Sequence, residues 1–538
     1  MEWKLLFHFS PFHFPFACDT MAESSVIFTF MEVFMKIKRP SDTLIACLID
    51  TFAAGLAAHA AYFFGNLSFH DDVVCTYDVG ATHIFGRFTL GLLGKLTRLP
   101  FGGSNYSLPW FGGFVSLLFL ALSSYLMIRT LNITSRLLRF LLCASLAVFP
   151  VLTATFAYGF TAPYYMLAFF LACLSACLLA DHTSIRSLLA GLFLCALMIG
   201  IYQAYLPVML SLEVLILLVH EFQKKEKPFR FWTHCLAGTV LGFAAYLVLM
   251  KASLLLTGKE LYAYRGLDSM GRGHFSYLQR IFMAYRMFFA PESFLPYRGS
   301  DDYLLFMWSM AFIYRALILL ILLMAAAAFP KLADASRLRF AFLLLLFPLC
   351  ANFIFVMTDF DVYSLMLYGE VMIFALGILL AEHAEFPAPF RTGLRTVVCA
   401  VLLYSVVFYI RYDNLCYYKA GRMQEEAISY DTALITRIQS IDGYDPSLPV
   451  CFVHGLEKDT SFLASDPELE KVTLTPYGGS EIINDYSYVD FLRIHCGYAP
   501  SVIEDSGQYD TYLEQEEIPR YPLSGSIRIV DDVIVVNF

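Results

Sequence analysis

The sequence predicts a polytopic α-helical membrane protein with about eleven transmembrane helices and a small C-terminal extracytoplasmic α/β domain. Three observations carry that expectation. The 538 residues are 58% hydrophobic and only 15% charged, whereas a soluble globule is roughly half apolar and a quarter charged. About eleven stretches approach the roughly 20 apolar residues that a bilayer-spanning helix needs. Most of the acid behind the net charge of −9 lies after residue 420, where the pattern turns to short strands and turns. An acidic chain of this kind excludes nucleic acid as a partner.

Residues 1–41 read as an N-terminal cytoplasmic segment, rich in Phe and containing Met21, Met31 and Met35. MEWKLLFHFSPFHFPFACDT lacks the charged, apolar, small-residue order of a secretory signal. It reads as a mis-called start upstream of Met31 or Met35, or as a short interfacial segment. The membrane domain covers 42–412, with spans at 42–65, 109–128, 139–159, 161–180, 187–205, 206–221, 233–256, 303–329, 340–357, 363–382 and 396–412. The 187–221 stretch is either two short helices around Pro207 or one broken helix.

Basic residues set the orientation. Lys36, Lys38 and Arg39 precede the first span, and Arg129, Arg136 and Arg139 follow the second. Lys224, Lys225, Lys227 and Arg230 follow the sixth, Lys331, Arg337 and Arg339 the eighth, and Arg391 and Arg395 precede the last. With eleven spans all these clusters share one side, the cytoplasm, which puts the N-terminus inside and the C-terminus outside. The outer loops are then 66–108 and 257–302. The second breaks the charge rule, because it carries Lys259, Arg265, Arg272, Arg280, Arg286 and Arg298. Those arginines are read as retained for a purpose.

The outer loops hold the polar motifs. NLSFHDDVVC, 66–75, puts His70, Asp71 and Asp72 just past the first span. Adjacent carboxylates in a partly desolvated site repel, which raises one of them toward a useful general-base value. The plain alternative is a pair of helix caps. ATHIFGRFTLGLLGKLTRLP, 81–100, reads as a basic amphipathic helix lying in the interface, with Arg87, Gly91, Lys95 and Arg98 on one face. That stripe suits phosphates, either a substrate's or those of anionic lipid. In LMIGIYQAYLP, Tyr202 and Gln203 interrupt an apolar run and suit sugar hydroxyls. Alternatively they are an aromatic anchor and a helix–helix hydrogen bond. The guanidinium groups of the 257–302 loop suit bidentate phosphate recognition. Asp359 and Asp361, at another outer helix end, read as caps or as polar groups supporting the site. His59, Glu213 and Lys251 are the obvious charges within spans, which gives no proton-relay chain.

Residues 413–538 read as a soluble domain, with DTALITRIQSI a helix and LPVCFVHG, SIRIV and DDVIVVNF strands. Cys451 and Cys496 form a disulfide in an oxidising compartment, or remain two buried thiols. The thirteen cysteines show no metal-ligand spacing, and no internal repeat is visible.

The order of HDD after the first span, GR in an amphipathic segment, YQAYL at a helix end, and RIQ followed by PVCFVHG resembles the bacterial Gtr-type II membrane glucosyltransferases over about residues 42–455. The resemblance implies a GT-C-like fold in a bacterial inner membrane. It implies transfer of a sugar, expected to be glucose, from a polyprenyl-phosphate carrier to a surface polysaccharide such as O-antigen. Other membrane proteins would make and flip the donor. The acidic motif falls on Asp71 and Asp72, one of them the base and the other orienting it. Arg87, Lys95 and the loop arginines Arg265, Arg272 and Arg298 would hold the phosphate. His70, Tyr202 and Gln203 would line the sugar and acceptor pocket. No cofactor is expected, because a monophosphate donor lacks the diphosphate that usually demands a metal; a divalent cation on Asp71 and Asp72 is the alternative. A different polyprenyl-dependent transferase, a flippase for lipid-linked sugars, and a non-catalytic assembly subunit are the competing readings. The last two would survive loss of both aspartates.

Overall fold

The computed structural model describes residues 41–262, 275–289, 303–358, 362–384, 388–453, 466–470, 482–503 and 507–538. The 1–40 segment, Arg265, Arg272, Arg298, Asp359 and Asp361 lie outside the described residues. Every predicted span coincides with a helix or a helix pair. These are Asp42–Gly65, Pro109–Thr130, Arg136–Val148 with Pro150–Phe156, Ala162–Ala180, Ile185–Ile201, Leu206–Phe222, Pro228–Thr257, Tyr303–Ala328, Asp334–Ala351, Met372–His383 and Ala388–Gln439. Among the described residues eight helices are long and apolar enough to cross a membrane, fewer than the eleven expected. Ile185–Ile201 is short, at 17 residues. Asp334–Ala351 carries Asp334, Arg337 and Arg339, and Met372–His383 is shortened because the chain before it winds through two 3-10 turns.

Local sequence explains the breaks. Phe149 precedes Pro150 and is extended (φ −67°, ψ 130°), because proline denies its predecessor the α region. Tyr202 is also extended (φ −157°, ψ 122°). It separates two helices, with a Gln203–Tyr205 3-10 turn between them and Pro207 seated in the first turn of the second. The 187–221 stretch is therefore two helices, broken at Tyr202 rather than at Pro207.

Small residues set the closest helix contacts. Asp42–Gly65 packs on Pro109–Thr130, where a Cβ at Gly55 would collide with Leu117 and one at Gly113 with the ring of Phe63. Such contacts let apolar helices approach closely without a hydrophobic driving force between them. Gly113→Leu is expected to cost about 1–3 kcal/mol by overpacking, read as a lower thermal midpoint in detergent. Gly393→Leu, with nothing near its Cβ, should leave the midpoint in place. His59 joins three helices, with Nδ1 2.8 Å from the Tyr417 hydroxyl and Nε2 2.8 Å from the Ala147 carbonyl. Glu213 accepts from Thr239 at 3.0 and 3.2 Å. Both are interhelical fastenings.

Among the described residues, members of three basic clusters, Lys225, Arg339 and Arg395, gather at one end of the bundle. There Lys225 Nζ and His220 Nε2 meet Asp181 at 2.6 and 3.0 Å, and Arg339 grips Glu221 with two bonds of 2.7 and 2.8 Å. Arg395 reaches Glu382 at 3.2 Å, and Glu382 also accepts from the backbone N–H of Thr134 at 2.8 Å. HDD lies at the opposite end.

The last helix, Ala388–Gln439, runs 52 residues, about 78 Å at 1.5 Å per residue. It continues well past the span predicted at 396–412 and absorbs most of DTALITRIQSI. The three predicted strands form one sheet in the order β1–β3–β2. Here β1 is Val450–Val453, β2 Ile527–Val530 and β3 Val533–Asn537. β1 pairs parallel to β3 with Val450 opposite Ile534, and β2 pairs antiparallel with Ile527 opposite Val536. Cys451 and Cys496 are free thiols. Cys451 is packed into a small core with Tyr509 and Leu513, while Cys496 ends the Tyr488–His495 helix. The disulfide alternative is not realised.

Candidate active site

HDD opens a five-residue helix, His70–Val74, so both aspartates lie in its first turn, where a helix favours negative charge. One helical step separates their directions and divides their surroundings. Asp72 is buried, and its Oδ1 accepts from Ser107 Oγ and from the Phe160 backbone N–H, both at 3.0 Å. Burial pushes its carboxyl up to about 7; the two hydrogen bonds oppose that rise and the Asp71 charge adds to it. Asp71 instead lines a cavity of about 350 Å³. Burial alone would raise it. The bonds from His70 and Tyr486, with the Arg87 charge, outweigh burial and hold it below the usual carboxylate range. The expected repulsion is present, but it raises the aspartate that faces away from the cavity. Among the described residues no group of three or more His, Cys, Asp or Glu side chains is placed to hold a metal ion.

Arg87 reaches the same cavity by a route the helical pattern does not foresee. The 81–100 stretch is not one helix. It is a His83–Phe85 turn, then Gly86, then the Phe88–Arg98 helix. Gly86 is left-handed (φ +69°), and a Cβ there would stand 2.6 Å from the Tyr246 hydroxyl. Both facts require glycine. Arg87 therefore stands at the helix entrance, off the stripe it was expected to share with Lys95. Gly91 is buried against His83, and Lys95 is exposed and outside the cavity lining. Arg87 Nη1 donates to the Tyr165 hydroxyl at 3.2 Å, and its guanidinium carbon lies 4.8 Å from the Tyr202 ring centre. The rings of Tyr165 and Tyr202 stack at 4.4 Å, nearly parallel. A guanidinium on an aromatic face is attracted by the ring quadrupole and held in one plane. Gln203 borders the cavity, with Nε2 donating to the Phe85 carbonyl at 2.9 Å and to Tyr246 at 3.1 Å. It thus fastens the Arg87 loop to the helix break. Ile354, Met357, Leu365 and Met366 make the facing wall apolar.

His70 sits beside Asp71, its Nδ1 3.2 Å from Oδ1, and does not line the cavity. Of the loop arginines within the described residues, Arg280 is buried on the Tyr277–Phe289 helix and donates to the carbonyls of Phe275 and Val356; Arg286 is exposed. Sequence reasoning missed Tyr165, Ser107, Tyr486 and the Phe160 amide. The tyrosine pair in APYYML, at the mouth of a span, was a usable signal for Tyr165. Nothing local marks the others.

Apolar helices of membrane length, with a carboxylate, a guanidinium and stacked tyrosines around a cavity at their ends, define an integral membrane protein built for polar chemistry beside lipid. The particular family follows. The family model for glucosyl transferase GtrII matches residues 60–374, more than half of the chain, and the chain belongs to that family. It is thus a membrane glucosyltransferase. The match is narrower than the resemblance read from 42 to 455, yet it holds every residue of the cavity wall. No curated protein and no solved structure matches the chain.

Proposed function

We propose that this enzyme moves glucose from a polyprenyl-phosphate carrier to a hydroxyl of a surface glycan such as O-antigen, at the extracytoplasmic face of a bacterial inner membrane. One observation carries the reading: Asp71 and Arg87, of opposite charge, line one cavity that has an apolar wall and lies at the helix ends opposite the basic clusters. A lipid-linked sugar phosphate offers the matching features, an anion between a sugar and an acyl chain. In the proposed reaction the Asp71 carboxylate takes the proton of the acceptor hydroxyl. The acceptor oxygen bonds to the anomeric carbon, and the bond from that carbon to the phosphate oxygen breaks. The phosphate departs with the electron pair, and Arg87 stabilises its charge. Tyr165 and Tyr202 fix the guanidinium plane and offer ring faces to the sugar. Asp72 holds the His70–Val74 helix against Ser107 and Phe160. Lys95 meets bilayer phosphates. The scheme needs no cofactor, and EDTA treatment of purified enzyme tests that. The enzyme depends on partners that make and flip the donor.

The test compares surface glycans by mass spectrometry from cells with the intact gene, a deletion, and Asp71→Asn with expression matched. Loss of one hexose mass in both the deletion and the variant is the expected result. A hexose lost only in the deletion would turn the reading toward transport or assembly. An unchanged glycan in the deletion would overturn it.

A further inference from the structure

The cavity wall lies within the matched family region, but the roof over the HDD helix does not. The turn Asp485–Ser487 and the helix Tyr488–His495 pack against the HDD helix, more than a hundred residues beyond the match. Two side chains hold the loop before HDD, one from the roof and one from the long helix. His495 Nε2 lies 2.6 Å from Ser68 Oγ. Gln424 of the long helix accepts from the Ser68 N–H at 3.0 Å and donates to the Asn66 carbonyl at 3.1 Å. Tyr486 belongs to the first turn of the roof. Its hydroxyl donates to Asp71 Oδ1 and lies 2.7 Å from His70 Nδ1. A capping box from Asn484 and Ser487 fixes the turn that carries it.

We infer that Tyr486 is a positioning residue for the reaction: the C-terminal region supplies the hydroxyl that holds the Asp71 carboxylate in place and ionised, so the active site is complete only with the roof docked. The inference rests on the reading of Asp71 as the base. The groups that face Asp71 are His70, Asp72 and Cys75 from its own segment, Arg87 across the cavity, and Tyr486 from the roof. Arg87 and His70 favour the carboxylate, while Asp72 and Cys75 offer it no positive charge. Tyr486 is the contribution that enters from a separate element. A hydrogen bond to an ionised group favours that ionised form, so losing the phenol raises the pH at which Asp71 protonates. Phenylalanine keeps the ring and its edge contact with His70, whose centres are 5.9 Å apart.

The experiment measures glucosyl transfer by the purified full-length enzyme in lipid nanodiscs across pH, for wild type, Asp71→Asn, Tyr486→Phe and Ser68→Ala. Ser68→Ala breaks the His495 contact without touching Asp71. For Tyr486→Phe we expect kcat to fall on the order of tenfold with donor KM nearly unchanged. The acid limb of its pH profile should move up by about one unit. Ser68→Ala should keep the wild-type limb. A wild-type limb and kcat in Tyr486→Phe would overturn the inference and leave the catalytic reading intact. A lower thermal midpoint in Tyr486→Phe with the wild-type limb would assign the residue to docking alone and overturn it. Full activity in Asp71→Asn would overturn both readings.

Discussion

Asp71→Asn should reduce glucosyl transfer by about 10²–10⁴-fold, the range expected for removing a general base, while Asp72→Asn should cost less than about tenfold. The two residues are adjacent and chemically identical, so a large split between them is a demanding expectation. It follows from geometry. Asp71 borders the cavity; Asp72 turns to Ser107 and the Phe160 amide. Both of those bonds end on the same oxygen, Oδ1, and an asparagine carbonyl can accept both. Asp72→Ala lacks that oxygen, leaves two half-buried donors without that acceptor, and should be the more damaging change at this site. Asp72 has the pKa nearer neutrality, but position decides before pKa does. Its stability signature is separate. A carboxyl raised to about 7 in the fold, against about 3.9 unfolded, binds its proton more tightly when folded. It therefore lowers stability as pH rises from about 4 to about 7. Asp72→Asn cannot ionise and should remove that slope, which thermal unfolding at several pH values would read. Equal losses of transfer in the two asparagine variants would contradict the division of roles.

Arg87→Ala should lower kcat/KM by about 10²–10³-fold, the cost of losing one preorganised group at developing charge. Arg87→Lys should recover only part of it. Lysine restores the charge but neither the planar fork nor the stacking on Tyr202, and the Tyr165 bond needs a donor at the guanidinium's reach. Lys95→Ala should change transfer little, because Lys95 is exposed outside the cavity. Steady-state transfer with varied donor reads all three. A Lys95→Ala loss matching that of Arg87→Ala would restore the single basic stripe that the sequence pattern suggests.

That stripe shows how far the sequence was legible. Hydropathy located the long apolar helices, because the need to satisfy backbone groups in lipid leaves few other structures, but only eight of the eleven expected spans are long and apolar enough to cross a membrane among the described residues. Alternating apolar residues marked all three strands. Of the residues singled out, Asp71, Arg87, Tyr202 and Gln203 came together at one cavity, while His70, Asp72 and Lys95 did not. The stripe failed because a helical wheel assumes an unbroken helix, and Gly86 breaks it one residue before Arg87. The roles of Asp71 and Asp72 were not separable either, since only the partners at Ser107 and Phe160 distinguish them. Tyr486 lies 415 residues from Asp71, and no periodicity reports a contact at that separation. The length of the last helix was hidden for a related reason: hydropathy marks where a helix leaves lipid, not where it ends.

That long helix is both a ruler and a protractor. Gln424 grips the loop before HDD while the same rod is anchored among the membrane helices upstream. Each residue added between those points lifts everything beyond by about 1.5 Å and turns it by about 100°. A single insertion would swing Gln424 off the loop altogether. Seven residues would restore its heading but raise it by about 10 Å, leaving the tyrosine above an aspartate it no longer reaches. The span of chain between bilayer and roof is thereby fixed in both phase and height, and substitutions along it are free only where insertions are not.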